Sequence, residues 1–468
     1  MSDGARWAMG SFDKSLLTTT DILLILGITL AVLAFGGTEP ASFAIVEVLL
    51  FGTAALNIAC GRWGSRRIFP ACFLVSGGLV AIVLAQLCPL PVGWVGRAAD
   101  SSGARYSPLT IESYSTRSDL LILLTCLIVF FLAQIVAQDR KRMRRLAQFF
   151  IILGVFEAFY GLVQYLTGWQ RIFLYIKKYD LEEATGTYIN RNHYAGLLEM
   201  ALPFSLALVW YEFRKLRRGH DESATSLRGL VVSQSGLPKL TLYLFIAVLL
   251  FTALLFSRSR MGILAASASM LVIFFLISVS GRHVKAGLIL STAFAILAGS
   301  VAIWIGPGPI AERFENVSQE YSQYDRSRVS IWRGTCLLIE EHPLLGTGLG
   351  TFPIAYTKVQ STFLGEFVNH AHNDYLEFTS DLGLPMALIL FASLIYVLVR
   401  AARSFVSAEK SLERAIALGC VGSMVAIFLH SLTDFNLHIP GNALLFSLIL
   451  GLSLAVRPRK ATIDSEII

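Results

Sequence analysis

The chain has 468 residues, of which 55% are hydrophobic and 15% charged, against about 25% charged in an ordinary soluble domain. Length alone would suggest several water-soluble domains, and the composition excludes them. The formal charge of +7 therefore raises the question of which membrane face the cations occupy, ahead of any question of nucleic acid.

Uninterrupted apolar stretches of about twenty residues, enough to cross about 30 Å of hydrocarbon, recur along the whole chain. The sequence predicts an all-α polytopic membrane protein with about twelve spans, near 21–37, 41–59, 69–88, 119–137, 147–166, 193–212, 240–257, 261–280, 286–305, 383–400, 415–433 and 442–456. The segment before the first span is polar, and that span has no small-residue cleavage site, so it reads as a retained span. With the N-terminus inside, every short basic loop ("GRWGSRR", "DRKRMRR", "GRHVK", "RPRK") falls on the cytoplasmic side, as does "RKLRRGHDESATSLRG". This agreement supports both the count and the orientation. Both termini are then cytoplasmic.

Three outside regions are long: 89–118, 167–192 and 306–382. The chain thus divides into spans one to five with two loops (1–192), spans six to nine (193–305), the large loop (306–382), and the last three spans with a tail (383–468). Inside the large loop, Ile331 and Leu338, and Trp332, Cys336 and Ile339, recur at helical spacing. They predict an amphipathic helix on or near the outer face, carrying Arg326, Arg328 and Arg333 and ended by Pro343 and the glycines after it. Six scattered cysteines (Cys60, Cys72, Cys88, Cys126, Cys336, Cys420) show no CxxC spacing, so neither a zinc knuckle nor a disulfide framework is signalled.

Chemistry-bearing residues gather on the outside. "SRSRMG" places Arg258 and Arg260 in the turn between spans seven and eight, and Arg191 stands at the mouth of span six. Such arginines either snorkel to lipid phosphates or serve a ligand; a planar guanidinium suits a lipid-borne phosphate or pyrophosphate. "VNHAHNDYLEF" holds His370, His372, Asn373 and Asp374, with His193 near the second loop and His430 and His438 flanking the last outside turn. His370 and His372 on a strand would share a face and could ligate a metal, with His193 or Asp374 completing the set. No Asp-x-Asp pair or HExxH accompanies them, and a neutral histidine at an interface also suits a general base. Asn369, Asn373 and Asp374 are candidates to orient that ring or to bind sugar hydroxyls. Glu47 and Glu199 lie inside spans, where they could pair with an arginine or mark a proton path.

Together "TGTYINRNHYAGLLEMALP", "SRSRMGILA", "IWRGTCLLIEEHPLLGTGLGTF", "HAHNDYLEFTSDLGLP" and "DFNLHIPGNALL" resemble the O-antigen ligase and polymerase (Wzy_C) superfamily. The similarity runs in order from about residue 180 to 445. The family's loop pattern is His, then Asn, Ser or Gln, nine residues, Gly, two residues, and Gly, Thr or Tyr. His372, Asn373 and Gly383 fit it; Met386 departs at the last position.

The resemblance implies a GT-C-like glycosyltransferase of the bacterial inner membrane, inverting, metal-independent and without a cofactor, acting on the periplasmic side. Its donor would be undecaprenyl-pyrophosphate-linked glycan and its acceptor lipid A–core. Polymerase and protein O-oligosaccharyltransferase relatives are the alternatives, and a lipid-linked glycan transporter is the rival of another class. Carried across, His372 matches the loop histidine that activates the acceptor, and Arg191 and Arg260 (or Arg258) match the arginines assigned to the donor pyrophosphate. His370, Asn373, Asp374, His193 and Arg333 would support them.

Overall fold

The structure is a computed structural model that describes residues 3–61, 70–91, 106–222, 227–280, 317–360, 367–408 and 410–456, with side chains left undescribed in 3–17, 217–222, 227–235 and 317–327 and at Pro70. Among the described residues it is almost wholly helical. In chain order these are α1 (Asp3–Leu33), α2 (Pro40–Ala59), α3 (Pro70–Leu87), α4 (Ser113–Val136), α5 (Arg140–Thr167), α6 (Arg191–Glu222), α7 (Leu227–Phe256), α8 (Arg260–Val279), α9 (Val317–Glu341), α10 (Phe352–Tyr356), α11 (Asp374–Leu382), α12 (Leu384–Ser407), α13 (Ser411–His430) and α14 (Pro440–Ala455). Two short antiparallel pairs interrupt them, β1 (Pro89–Pro91) with β2 (Tyr106–Pro108), and β3 (Arg171–Ile172) with β4 (Tyr175–Ile176).

Among the described residues, eight helices are long and apolar enough to cross a membrane, and three shorter apolar helices, Thr18–Leu33, Ala71–Leu87 and Pro440–Ala455, coincide with further expected spans. The expected span 286–305 lies outside the described residues. A helix is the natural state of such runs, because in hydrocarbon each backbone polar group must be satisfied within its own segment. Several boundaries differ from the sequence expectation. Helix α1 stops at Leu33, where Phe35, Gly36 and Gly37 turn to φ +57°, +70° and +77°. Helix α5 starts seven residues before the expected span. Asp139 caps it by accepting from Lys141 N and Arg142 N at 2.9 and 3.0 Å, so the run "RKRMRR" forms its first turns.

The chain forms two compact units, Met1–Leu132 with Pro307–Ile395 and Phe428–Ser447, and Ala133–Gly306 with Tyr396–Ile427 and Leu448–Ile468. In the first, α9 realises the expected loop helix. Ile331, Thr335 and Leu338 are its buried line, against Phe352, Ala355 and Tyr356 of α10 and Ala371. The second expected stripe is not buried as a whole: Cys336 is exposed and Ile339 half-buried. Trp332 is half-buried and donates Nε1–H to the Ala371 carbonyl at 3.0 Å. A second core joins Leu79 and Val83 of α3 to Leu349, Leu382 and Met386. Met386 therefore occupies a packing position, where a buried thioether fills the space beside α3; full burial of such a side chain is worth about 1.5–3 kcal/mol.

In the second unit α6 is central, with 94% of its apolar stretch buried against α5, α7 and α8. Small residues let these helices approach, as is usual for packing in membranes; a Cβ on Gly154 of α5 would stand 2.8 Å from the Ala201 Cβ of α6. The buried Glu157 of α5 accepts from Thr187 N at 2.8 Å and Thr187 Oγ1 at 2.7 Å, and Gln164 donates to the Gly186 carbonyl at 2.9 Å. These bonds fix the backbone that leads into Arg191.

Candidate functional site

"HAHNDYLE" folds on itself. Asn373 is the N-cap of α11, its side chain accepting from Leu376 N at 3.1 Å and donating to the Leu432 carbonyl at 3.0 Å. Glu377, one turn into the helix, reaches back so that its two oxygens take His370 Nδ1 and Ala371 N, each at 2.7 Å. Asp374, Glu377 and Asp381 recur on the buried face of α11, an unusual place for three carboxylates unless each has partners.

The segment 431–438 supplies them. Asp374 accepts from Ser431 Oγ at 2.6 Å and Leu437 N at 3.2 Å, and meets His438 Nδ1 at 2.7 Å. His438 Nε2 stands 3.6 Å from Glu377, and its ring stacks on Phe378 at 4.3 Å. Burial alone would push His438 down, but Glu377, Asp374 and Asp381 outweigh it and hold the imidazole up at about 10. Glu377 is correspondingly held below its ordinary value, since His438 and His370 outweigh the burial that would raise it. Burial, followed by the charge of Glu377, pushes Asp381 well above the carboxylate range; it accepts from Gly350 N at 2.7 Å.

His372 sits apart from this buried network. Its backbone is left-handed, at φ +51°, a region histidine enters more readily than most residues but still seldom. That twist breaks the strand alternation on which a His370–His372 metal pair would depend. His370 stacks on Phe435 at 4.0 Å, whereas the His372 ring meets Phe435 edge-on at 5.0 Å. His372 Nδ1 lies 3.8 Å from the Asp434 carboxylate, and the His372 side chain is 29% exposed against 2% for Asp434. Among the described residues that nitrogen has no hydrogen-bond partner. Asp374, expected as a possible orienter of this ring, is committed to His438, and Asn373 to capping. Asp434 is the acid beside His372. Among the described residues no three of His, Cys, Asp or Glu are arranged to hold a metal ion.

Gly383 ends α11 at φ +77°, where a Cβ would stand 2.4 Å from the Leu344 carbonyl oxygen. The glycine of the loop pattern is therefore required by backbone geometry. Arg333 lies exposed on α9, and the side chain of Arg326 lies outside the described residues.

The remaining candidates belong to the second unit. Arg191 and Arg260 are the first residues of α6 and α8. Those two helix starts lie side by side: a Cβ on Gly262 would stand 2.8 Å from the Ala195 Cβ. Arg258, at φ +52°, is two residues before Arg260. Acids of the second loop meet two of these arginines. Arg191 bonds Glu183 through Nη1, with Asp180 3.8 Å away, and Arg258 lies 3.4 Å from Glu182. The Arg191 backbone N–H also donates to Asp180 at 2.9 Å. Glu199, foreseen as a partner for an outer arginine, is buried within α6. His193 is buried in the first turn of α6.

Sequence reasoning missed Glu377, Asp381, Asp434 and Phe435. The first two are visible only as acids recurring with Asp374 on one helix face, and the last two only once 431–438 is packed on 370–377.

No curated protein matches the chain. Residues 245–392, about a third of the chain, match the family model Wzy_C, O-Antigen ligase. The matched segment contains Arg258, Arg260, His370, His372, Asn373 and Gly383. Members of this family are glycosyltransferase-like and work on glycan and lipid-linked substrates. Over this segment the chain is similar to the O-antigen ligase family, and its apolar helices accord with a membrane protein.

Proposed function

We propose that the chain transfers glycan from a polyprenyl-pyrophosphate carrier, undecaprenyl pyrophosphate in a bacterial inner membrane, to an acceptor hydroxyl on the periplasmic face. The observation that carries this reading is His372: a partly exposed imidazole, its Nδ1 facing the buried Asp434 carboxylate, on a backbone fixed from both sides. A base needs an open nitrogen and a support for the charge it acquires. Nε2 takes the acceptor proton while the acceptor oxygen attacks the anomeric carbon. The bond from that carbon to the pyrophosphate oxygen breaks, and its electron pair leaves with the polyprenyl pyrophosphate. The stereochemistry inverts. Asp434 lies beside the ring as it takes the proton.

Arg191, Arg260 and Arg258 bind the pyrophosphate and offset the negative charge that grows as it departs. Glu183 and Glu182 hold two of these guanidinia until the pyrophosphate takes their place. No step calls for a metal or cofactor. His370 and Asn373 hold the His372 segment. We assign lipid A–core as acceptor, because the matching family is described as O-Antigen ligase, and the GT-C class and the twelve-span topology belong to the same reading.

The test incubates purified protein with undecaprenyl-pyrophosphate glycan and with lipid A–core or a second lipid-linked glycan as acceptor, without a proton gradient. Glycosylated lipid A–core supports the ligase; longer lipid-linked chains make it a polymerase. No product with either acceptor defeats the proposal.

A further inference from the structure

The β3–β4 hairpin breaks the usual chemistry of tight turns. Its register pairs Arg171 with Ile176 and Ile172 with Tyr175, leaving Phe173 and Leu174 as a two-residue loop. Such loops favour glycine or asparagine, which tolerate positive φ. Here the first turn residue is a phenylalanine at φ +50°, and the second, Leu174, is 93% exposed. A bulky aromatic in the left-handed region is strained, and strain of this kind persists where surrounding bonds impose it. They do so here: Phe173 N donates to Tyr160 Oη at 2.8 Å, and Gln164 donates to the Arg171 carbonyl at 2.8 Å. The rings of Trp169 and Phe173 lie 5.7 and 5.6 Å from that of Tyr160. The fold thus holds a greasy tip outward on a rigid mount.

The tip continues an exposed apolar surface of α5. On α5, a candidate membrane span, Ile152, Phe156, Phe159 and Leu166 are exposed at spacings that put them on one helix face. In a membrane that face meets acyl chains. The hairpin begins four residues after α5 ends, where the span leaves the hydrocarbon. Exposed Trp169 and Tyr179 and the cations Arg171 and Lys178 surround the apolar tip, the composition of a membrane–water interface.

From the turn and its surroundings we infer that the β3–β4 hairpin is a membrane anchor whose Phe173–Leu174 tip enters the leaflet at the C-terminal end of α5, with phospholipid as its partner. The loop acids Asp180, Glu182 and Glu183 follow the hairpin directly, so the anchor also sets the depth at which they meet Arg191 and Arg258.

The test uses the full chain in nanodiscs of phosphatidylethanolamine and phosphatidylglycerol containing a phospholipid with a diazirine in its acyl chain. Lipid adducts are mapped by mass spectrometry after irradiation. Adducts are expected on residues 169–176 as well as on the α5 face at Ile152 and Phe159. The double variant Phe173→Asn, Leu174→Gly carries the turn pair that hairpins prefer, so the hairpin is retained while its apolar tip is lost. It should lower hairpin adducts at least fivefold relative to those on α5. A wild-type protein labelled on α5 but not on the hairpin overturns the proposal, and this result does not depend on the variant folding.

Discussion

Replacing Glu377 with glutamine removes one charge from the centre of the His370–His438 network and leaves the shape nearly unchanged. The carboxylate accepts from His370 Nδ1 and Ala371 N, each at 2.7 Å, with 2% of its side chain exposed. Hydrogen bonds to charged groups are worth about 1.5–3 kcal/mol each. A glutamine offers neither group a full charge, and its amide nitrogen is satisfied only if His370 takes the tautomer whose Nδ1 accepts. His438, raised chiefly against its own burial by Glu377, also loses its strongest support. The combined loss should be about 3 kcal/mol, the lower end of what breaking a buried ionic contact costs. Two readouts follow. The thermal unfolding midpoint in detergent falls, and kcat falls about a hundredfold, the scale expected when a reacting group shifts by about 1 Å, while KM for the lipid-linked donor changes little. Glu377→Asp, too short to reach both donors, should resemble the glutamine variant. A Glu377→Gln protein with wild-type midpoint and wild-type kcat would refute the claim that this carboxylate holds the His372 segment.

Other outcomes follow from the same geometry. Because the fold favours the protonated form of His438, the stability this residue contributes is complete below its ordinary pKa of about 6.5 and fades as pH rises through about 10. Unfolding midpoints measured between pH 6 and 10.5 should decline across that window, and His438→Asn should flatten the decline. Gly383→Ala forces a Cβ against the Leu344 carbonyl and should destabilise by about 1–3 kcal/mol, read as a lower midpoint; an unchanged midpoint contradicts the strain argument. Arg191→Lys retains the charge but not the planar fork, so KM for the pyrophosphate donor should rise at least tenfold with normal protein yield.

The membrane helices were legible because hydropathy is a local property: the length and composition of each apolar run suffice to mark it as a span. Helix α9 was also legible, down to the Ile331–Leu338 face, since burial follows the 3.6-residue period. Asp139 shows where such reading stops. A capping aspartate turns a basic "loop" into the first turns of α5, and topological charge counting does not see it. The buried network was less accessible. His438 and Asp374 stand 64 positions apart, and nothing in either neighbourhood says that one charge compensates the other. His372 was singled out from its pattern, but the acid nearest its ring, Asp434, comes from a turn noted only for its histidines. The arginines stood out as cations in segments that charge counting expects on the outer side. That two of them contact Asp180, Glu182 and Glu183 depends on how the 171–188 loop folds, and that fold rests on Glu157 and Gln164 buried in α5. The Phe173–Leu174 turn was invisible because it violates the residue preferences by which turns are recognised.

The central claim is that His372 removes the acceptor proton in glycan transfer from a polyprenyl-pyrophosphate donor. The most direct measurement compares wild-type protein and His372→Ala, both purified, in a reconstituted assay with undecaprenyl-pyrophosphate glycan and lipid A–core, alongside binding of the lipid-linked donor. The account predicts glycosylated lipid A–core from the wild type, none above background from the variant, and donor binding within about twofold in both. Transfer by His372→Ala at the wild-type rate would contradict it.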